Sequence, residues 1–78
     1  MKMPDTAFVA LNSSALACVA YDDGRQHLHV EFRDGSLYVY CGVPSKVYEE
    51  LMTAESQGGY FNTQIRNAFV SVRKGFLG

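Results

Sequence analysis

Seventy-eight residues, 47% of them hydrophobic and 19% charged, describe a single compact domain and exclude a disordered chain. A net charge of −1 supplies no basic excess, so any nucleic-acid role has to rest on a local patch. No apolar run approaches the ~20 residues that cross a bilayer, and no membrane partner is expected.

In chain order, residues 1–12 read as an N-terminal arm and residues 13–78 as the single domain. Phe8, Val9 and Leu11 are apolar without a clean period and read as an arm lying across a sheet. The stretch Ala7 to Ala20 imitates a secretion signal. Asp5, a lone Lys2 and the polar break Asn12-Ser13-Ser14 argue against one, and a cytoplasmic protein is expected. Leu16 to Tyr21 reads as a first strand, and Asp22-Asp23-Gly24-Arg25-Gln26 as a turn. The length of that turn leaves the face of Tyr21 open. An odd loop pairs Tyr21 with His27, an even one pairs it with Leu28, and a one-residue slip inverts the strand.

Leu28 to Cys41 carries the clearest pattern. Leu28, Val30 and Phe32 alternate with His29, Glu31 and Arg33; after Asp34-Gly35, Leu37, Val39 and Cys41 alternate with Ser36, Tyr38 and Tyr40. Alternation marks half-buried strands, and Asp-Gly between them predicts a hairpin with a two-residue turn. That turn sets Phe32 opposite Leu37, Val30 opposite Val39 and Leu28 opposite Cys41. One face is then wholly apolar, and the other carries Tyr38, Tyr40, His29, Glu31 and Arg33.

Val43-Pro44 opens a helix, with Val47, Leu51 and Ala54 on one stripe widened by Tyr48 and Met52. Lys46, Glu49 and Glu50 point outward, and Glu55 belongs with the same solvated face. Ser56-Gln57-Gly58-Gly59 reads as a helix stop with a left-handed glycine cap, followed by a second helix with Phe61, Ile65, Ala68 and Phe69 on one side. Val70 to Lys74 extends that helix or forms an edge strand; Gly75 to Gly78 should fray. The helical stripes and the apolar sheet face can only cover one another. The expected fold is α+β, a three-stranded antiparallel β-meander with two α-helices packed on one face.

Cys18 and Cys41 are too few for a disulfide framework and match no zinc spacing, so both are expected reduced, with Cys41 in the core. His27, His29 and Glu31 share a strand face at a spacing that can ligate zinc, but read more simply as a solvated polar row. The chain shows no nucleophile elbow, phosphate loop or paired-carboxylate motif, so no catalytic residue, cofactor or metal is assigned.

Several residues in order resemble a known family: Ser13-Ser14, Tyr21-Asp22, Tyr38-Val39-Tyr40, Val43-Pro44, Ala54-Glu55-Ser56-Gln57-Gly58, Tyr60-Phe61-Asn62 and Ile65-Arg66. Together, from about Ser13 to Phe69, they resemble the KTSC domain. It is named for the C-terminus of some lysine tRNA synthetases and also occurs alone in bacterial proteins. The resemblance implies no catalytic residues. Its occurrence on a synthetase implies RNA by context rather than by chemistry.

Sheet-borne tyrosines can stack unpaired bases while nearby cations meet phosphates. The residues expected to bind are Tyr38, Tyr40, His29, Arg33, Lys46 and Arg66, in a non-enzymatic module whose partner is RNA such as tRNA. The alternative is a protein-interaction or self-association module using the same aromatic face. A covering of that face by the arm or the C-terminal tail would leave no site there.

Overall fold

The computed structural model describes residues 8–76. Five strands, β1 (Val9–Ala10), β2 (Leu16–Asp22), β3 (His27–Phe32), β4 (Ser36–Cys41) and β5 (Val70–Phe76), form one antiparallel sheet in the order β1-β2-β3-β4-β5. Between β4 and β5 come helix α1 (Ser45–Thr53) and helix α2 (Gln57–Tyr60), which runs on without a break into a π-helical turn at Phe61–Ile65.

The turn from β3 to β4 determines which side chains share a face. Its Gly35 N–H donates to the Phe32 carbonyl at 2.9 Å, and Gly35 alone in the turn takes a positive φ, +93°. A type I′ turn needs positive φ at Asp34 as well. Instead the Asp34 carboxylate accepts from the Ser36 N–H at 2.9 Å and the Ser36 hydroxyl at 2.7 Å, which holds a three-residue loop ending in the glycine. The expected two-residue turn is therefore wrong by one residue. Leu28 pairs with Tyr40, His29 with Val39, and Val30 with Tyr38. The tyrosines lie on the same face as Leu28, Val30 and Phe32, while Leu37, Val39 and Cys41 join His27, His29 and Glu31 on the other.

Three strands were expected, and the sheet has five among the described residues. Val9 pairs with Val19 and Ala10 with Cys18, so this part of the arm extends the sheet's edge rather than crossing it; Leu11 is buried. Residues 1–7 of the expected arm lie outside the described residues. At the opposite edge Val39 pairs with Val72, which makes Val70 to Lys74 a strand. Gly75 and Phe76 end that strand rather than fraying, and residues 77–78 lie outside the described residues. Tyr21 pairs with Leu28 and so points inward, where its ring stacks on Tyr48 at 4.8 Å and its hydroxyl donates to the Val43 carbonyl.

Both helices pack against the inner face. From α1, Leu51 is fully buried, with Val47, Tyr48 and Met52 packed beside it, as the stripe predicted. Phe61 and Ile65 complete a core with Leu16, Val19, Leu28, Val30, Tyr40 and Val43. Gly58 and Gly59 do not stop a helix: neither has a positive φ, and both stand in the first turn of α2. Ser56 caps that turn, its Oγ accepting from the Gly59 N–H at 3.1 Å, which satisfies a donor the helix itself cannot. The π turn is closed by the Arg66 N–H on the Phe61 carbonyl at 2.9 Å. Past it the helical pattern ends, leaving Ala68 exposed and Phe69 half-buried. Tyr60 ties the two helices together, its hydroxyl donating to Glu50 at 2.6 Å.

Candidate functional site

The slipped register opens a cleft of about 1010 Å³ between the inner sheet face, the Asn12–Ala15 loop and the second helix. Its floor is aromatic. Phe32 meets Tyr38 at 5.5 Å and 88°, and meets Phe61 at 5.7 Å and 71°; Tyr40 meets Phe61 at 5.3 Å and 89°. Tyr40 is 4% exposed and belongs to the core, while Tyr38 is half-buried and lines the cavity.

One wall is the loop before β2. Ser13 Oγ accepts from the Ala15 and Leu16 N–H groups at 3.1 and 3.2 Å. The Arg33 guanidinium donates to the Ser13 carbonyl at 3.0 Å and the Leu11 carbonyl at 3.1 Å, so it clamps this wall. The other wall is α2 and its π turn, joined to the loop where the Asn12 N–H donates to Gln57 at 3.2 Å. The walls meet closely: a Cβ on Gly58 would stand 2.9 Å from Ser13 Oγ. Arg33, Arg66, Asp34 and Glu55, all exposed, line the mouth of the cleft. Arg66 donates to Asn62 at 3.1 Å and opposes the effect of burial, which raises the Tyr40 hydroxyl above its ordinary pKa. Hydrogen bonds from Ser36 hold the Asp34 carboxyl below its usual range.

Of the residues expected to bind, Tyr38, Tyr40, Arg33 and Arg66 line this one cleft. His29 does not: it lies on the opposite sheet face, with Phe8 edge-on at 6.5 Å and His27 at 6.4 Å. Lys46 is exposed on α1 and is not part of the lining. The open aromatic platform is thus corrected to a walled cleft, covered by the second helix and the Asn12–Ala15 loop. Cys41 likewise lies on the outer face, not in the core. Both cysteines are free; Cys18 pairs with Glu31 and Cys41 with His27, so they sit far apart along β3. Among the described residues no three His, Cys, Asp or Glu side chains are placed to hold a metal, and no helix is long and apolar enough to cross a membrane.

The cleft also contains Ser13, Ser56, Gly58, Phe61 and Asn62, to which the sequence assigned no binding role. Their signal was already present in the ordered residues that carried the family resemblance. A model of the KTSC domain matches residues 12–69. The chain belongs to the KTSC domain family. The match covers every cleft-lining residue except Ser71, so both walls and the floor fall inside the KTSC unit. An uncharacterized protein of Stutzerimonas stutzeri is 48% identical over 54 residues, covering 69% of this chain and 76% of that protein. A lysine–tRNA ligase of Nostoc punctiforme is 39% identical over 56 residues, covering 72% of this chain but 10% of the ligase. The crystal structure of a KTSC domain protein from Yersinia pestis superposes with a TM-score of 0.86 at 28% identity, covering 90% of this chain and 99% of that one.

Proposed function

We propose that this KTSC domain is a non-enzymatic, cytoplasmic binding module that takes unpaired RNA, such as a segment of tRNA, in the cleft. The observation that carries this reading is the half-buried Tyr38 ring on an aromatic floor, with the Arg66 guanidinium at the mouth. A base stacked on an aromatic side chain contributes ~1–3 kcal/mol, and an adjacent guanidinium suits a phosphate. The related segment in proteins named lysine–tRNA ligase supports the same class of partner. Arg33 enters as the residue that positions a wall; His29 and Lys46 have no part in this cleft.

Titration with tRNA should shift the amide signals of Tyr38, Asn62 and Arg66, and affinity should fall as salt rises. Unmoved spectra at low salt would overturn the reading. A protein-interaction or self-association role draws instead on β5, where Val70 is 71% and Val72 49% exposed on an edge strand. It predicts a mass that rises with concentration in sedimentation.

A further inference from the structure

The cleft presents one usable ring rather than a row of them. Tyr40 and Phe61 are buried; Phe32 is half-buried like Tyr38 but stands perpendicular to it, at 88°, so a base laid flat on one ring cannot lie flat on the other. Tyr38 is left as the stacking surface. Domains that bind runs of bases spread two or three accessible rings over an open sheet. Here the second helix and the Ser13 loop stand on either side, close enough that a single Cβ at Gly58 would meet Ser13 Oγ. The cleft as a whole, about 1010 Å³, is just above the ~300–1,000 Å³ usual for small-ligand pockets, so ring geometry rather than volume sets the limit.

Charge gives the same limit. Two guanidiniums and two carboxylates share the mouth, and Arg33 commits two of its donors to the wall. A long phosphate backbone running across that mouth would meet Asp34 and Glu55, whereas one phosphate can be placed at Arg66. The Asn62 NH2 and the Asn67 amide, both on exposed residues that line the cleft, offer the mixed donors and acceptors that a base edge requires.

We infer that the cleft takes a single unpaired nucleotide, its base against Tyr38 and its phosphate at Arg66, presented by a bulge, a loop or a strand end. A stacked run of bases finds no second parallel ring to lie on, and an uninterrupted duplex offers no unpaired base face to Tyr38. The inference rests on the RNA reading above and narrows it to one nucleotide per domain.

Fluorescence anisotropy with four labelled probes tests it: a single-stranded 4-mer, a single-stranded 12-mer, a 12-base-pair duplex, and that duplex with one bulged nucleotide. The 4-mer, the 12-mer and the bulged duplex should bind within about threefold of one another, and the perfect duplex at least about tenfold more weakly. One phosphate contact on a single strand sets a log–log salt slope near −0.7 for the 4-mer. Tyr38→Ala should weaken the bulged duplex by about fivefold or more with the circular dichroism spectrum retained, and Tyr38→Phe, which keeps the ring, should restore binding. A 12-mer that binds tenfold tighter than the 4-mer, with a slope steeper than −2, would overturn the single-nucleotide inference and leave RNA binding standing. No binding of any probe, nor of tRNA, would overturn both.

Discussion

Tyr40 and Phe61 meet edge to face, ring centroids 5.3 Å apart at 89°, and through this contact the sheet and the second helix share one aromatic floor. Such pairs contribute ~0.5–1.5 kcal/mol beyond the area they bury. Tyr38, two residues before Tyr40 on β4, differs in exposure: it is half-buried beside the cavity, whereas Tyr40 is 4% exposed. Tyr40→Ala should therefore cost ~3–5 kcal/mol, the range for emptying an aromatic site in a core, and so unfold much of so small a domain. Tyr38→Ala should leave a folded protein with impaired RNA binding. Urea titrations of both variants, read beside tRNA binding, check the split; equal destabilisation would refute it.

Gly58 faces Ser13 across the narrowest part of the cleft. An alanine in a helix is ordinarily favoured over glycine by ~1 kcal/mol. At this position its Cβ would stand 2.9 Å from Ser13 Oγ, and that oxygen is held by the Ala15 and Leu16 N–H groups. The contact should outweigh the propensity gain, so Gly58→Ala is expected to lower stability by ~1 kcal/mol and move the loop wall outward. A thermal midpoint a few degrees lower, with amide shifts from Asn12 to Leu16, would be the result; a midpoint above wild type would show the wall yields freely.

Alternation along β3 and β4, the α1 stripe and the packing of both helices on one face were legible in the sequence, because each is a local period. The register was not. Asp34-Gly35 serves a two-residue turn and a three-residue loop equally well, and the choice went to the Asp34 carboxylate once it capped Ser36. Those two bonds go with a register that puts Tyr38 and Tyr40 in the cleft and the core rather than on an open face. The outer strands are harder to read: Val9 looks like part of a covering arm, and Val70 to Lys74 fits a helix extension or an edge strand equally. Val9–Ala10 is too short to show a period, and Val70 to Phe76 alternates only weakly, so each is specified by its neighbour in the sheet. Four of the residues expected to bind still converge, because the slip moved Tyr38 and Tyr40 together toward Arg33 and Arg66.

Cys18 donates its thiol hydrogen to Glu31 at 3.1 Å on the outer face. Burial first, then the hydrogen bond to Glu31 and its charge, push this thiol up to about 11 from the usual 9.0. The thiolate is the reactive form, so Cys18 should alkylate slowly at pH 8. In a Cys41→Ser background, Glu31→Gln should speed the reaction with iodoacetamide severalfold while leaving the burial effect in place. Mass spectrometry over time gives the rate; an unchanged rate would remove Glu31 as a cause.

His29 lies on the same outer face, across the strand pair from Val39 and beside Phe8. Burial, then the neighbouring His27 and, more weakly, Lys74 lower its pKa below 6.5, with Asp22 opposing them. The folded state thus disfavours the imidazolium relative to the unfolded chain. Stability from this group is complete above the ordinary histidine value and declines as pH falls through 6.5 toward the depressed folded value. Thermal midpoints should fall between pH 7.5 and 5, and His29→Gln, which cannot take up a proton, should flatten that part of the profile. The Asp34 carboxyl, lowered by Ser36, acts in a separate window, below its usual 3.8, so the two groups do not overlap. A His29→Gln profile as steep as wild type between pH 7.5 and 5 would assign the dependence to another group.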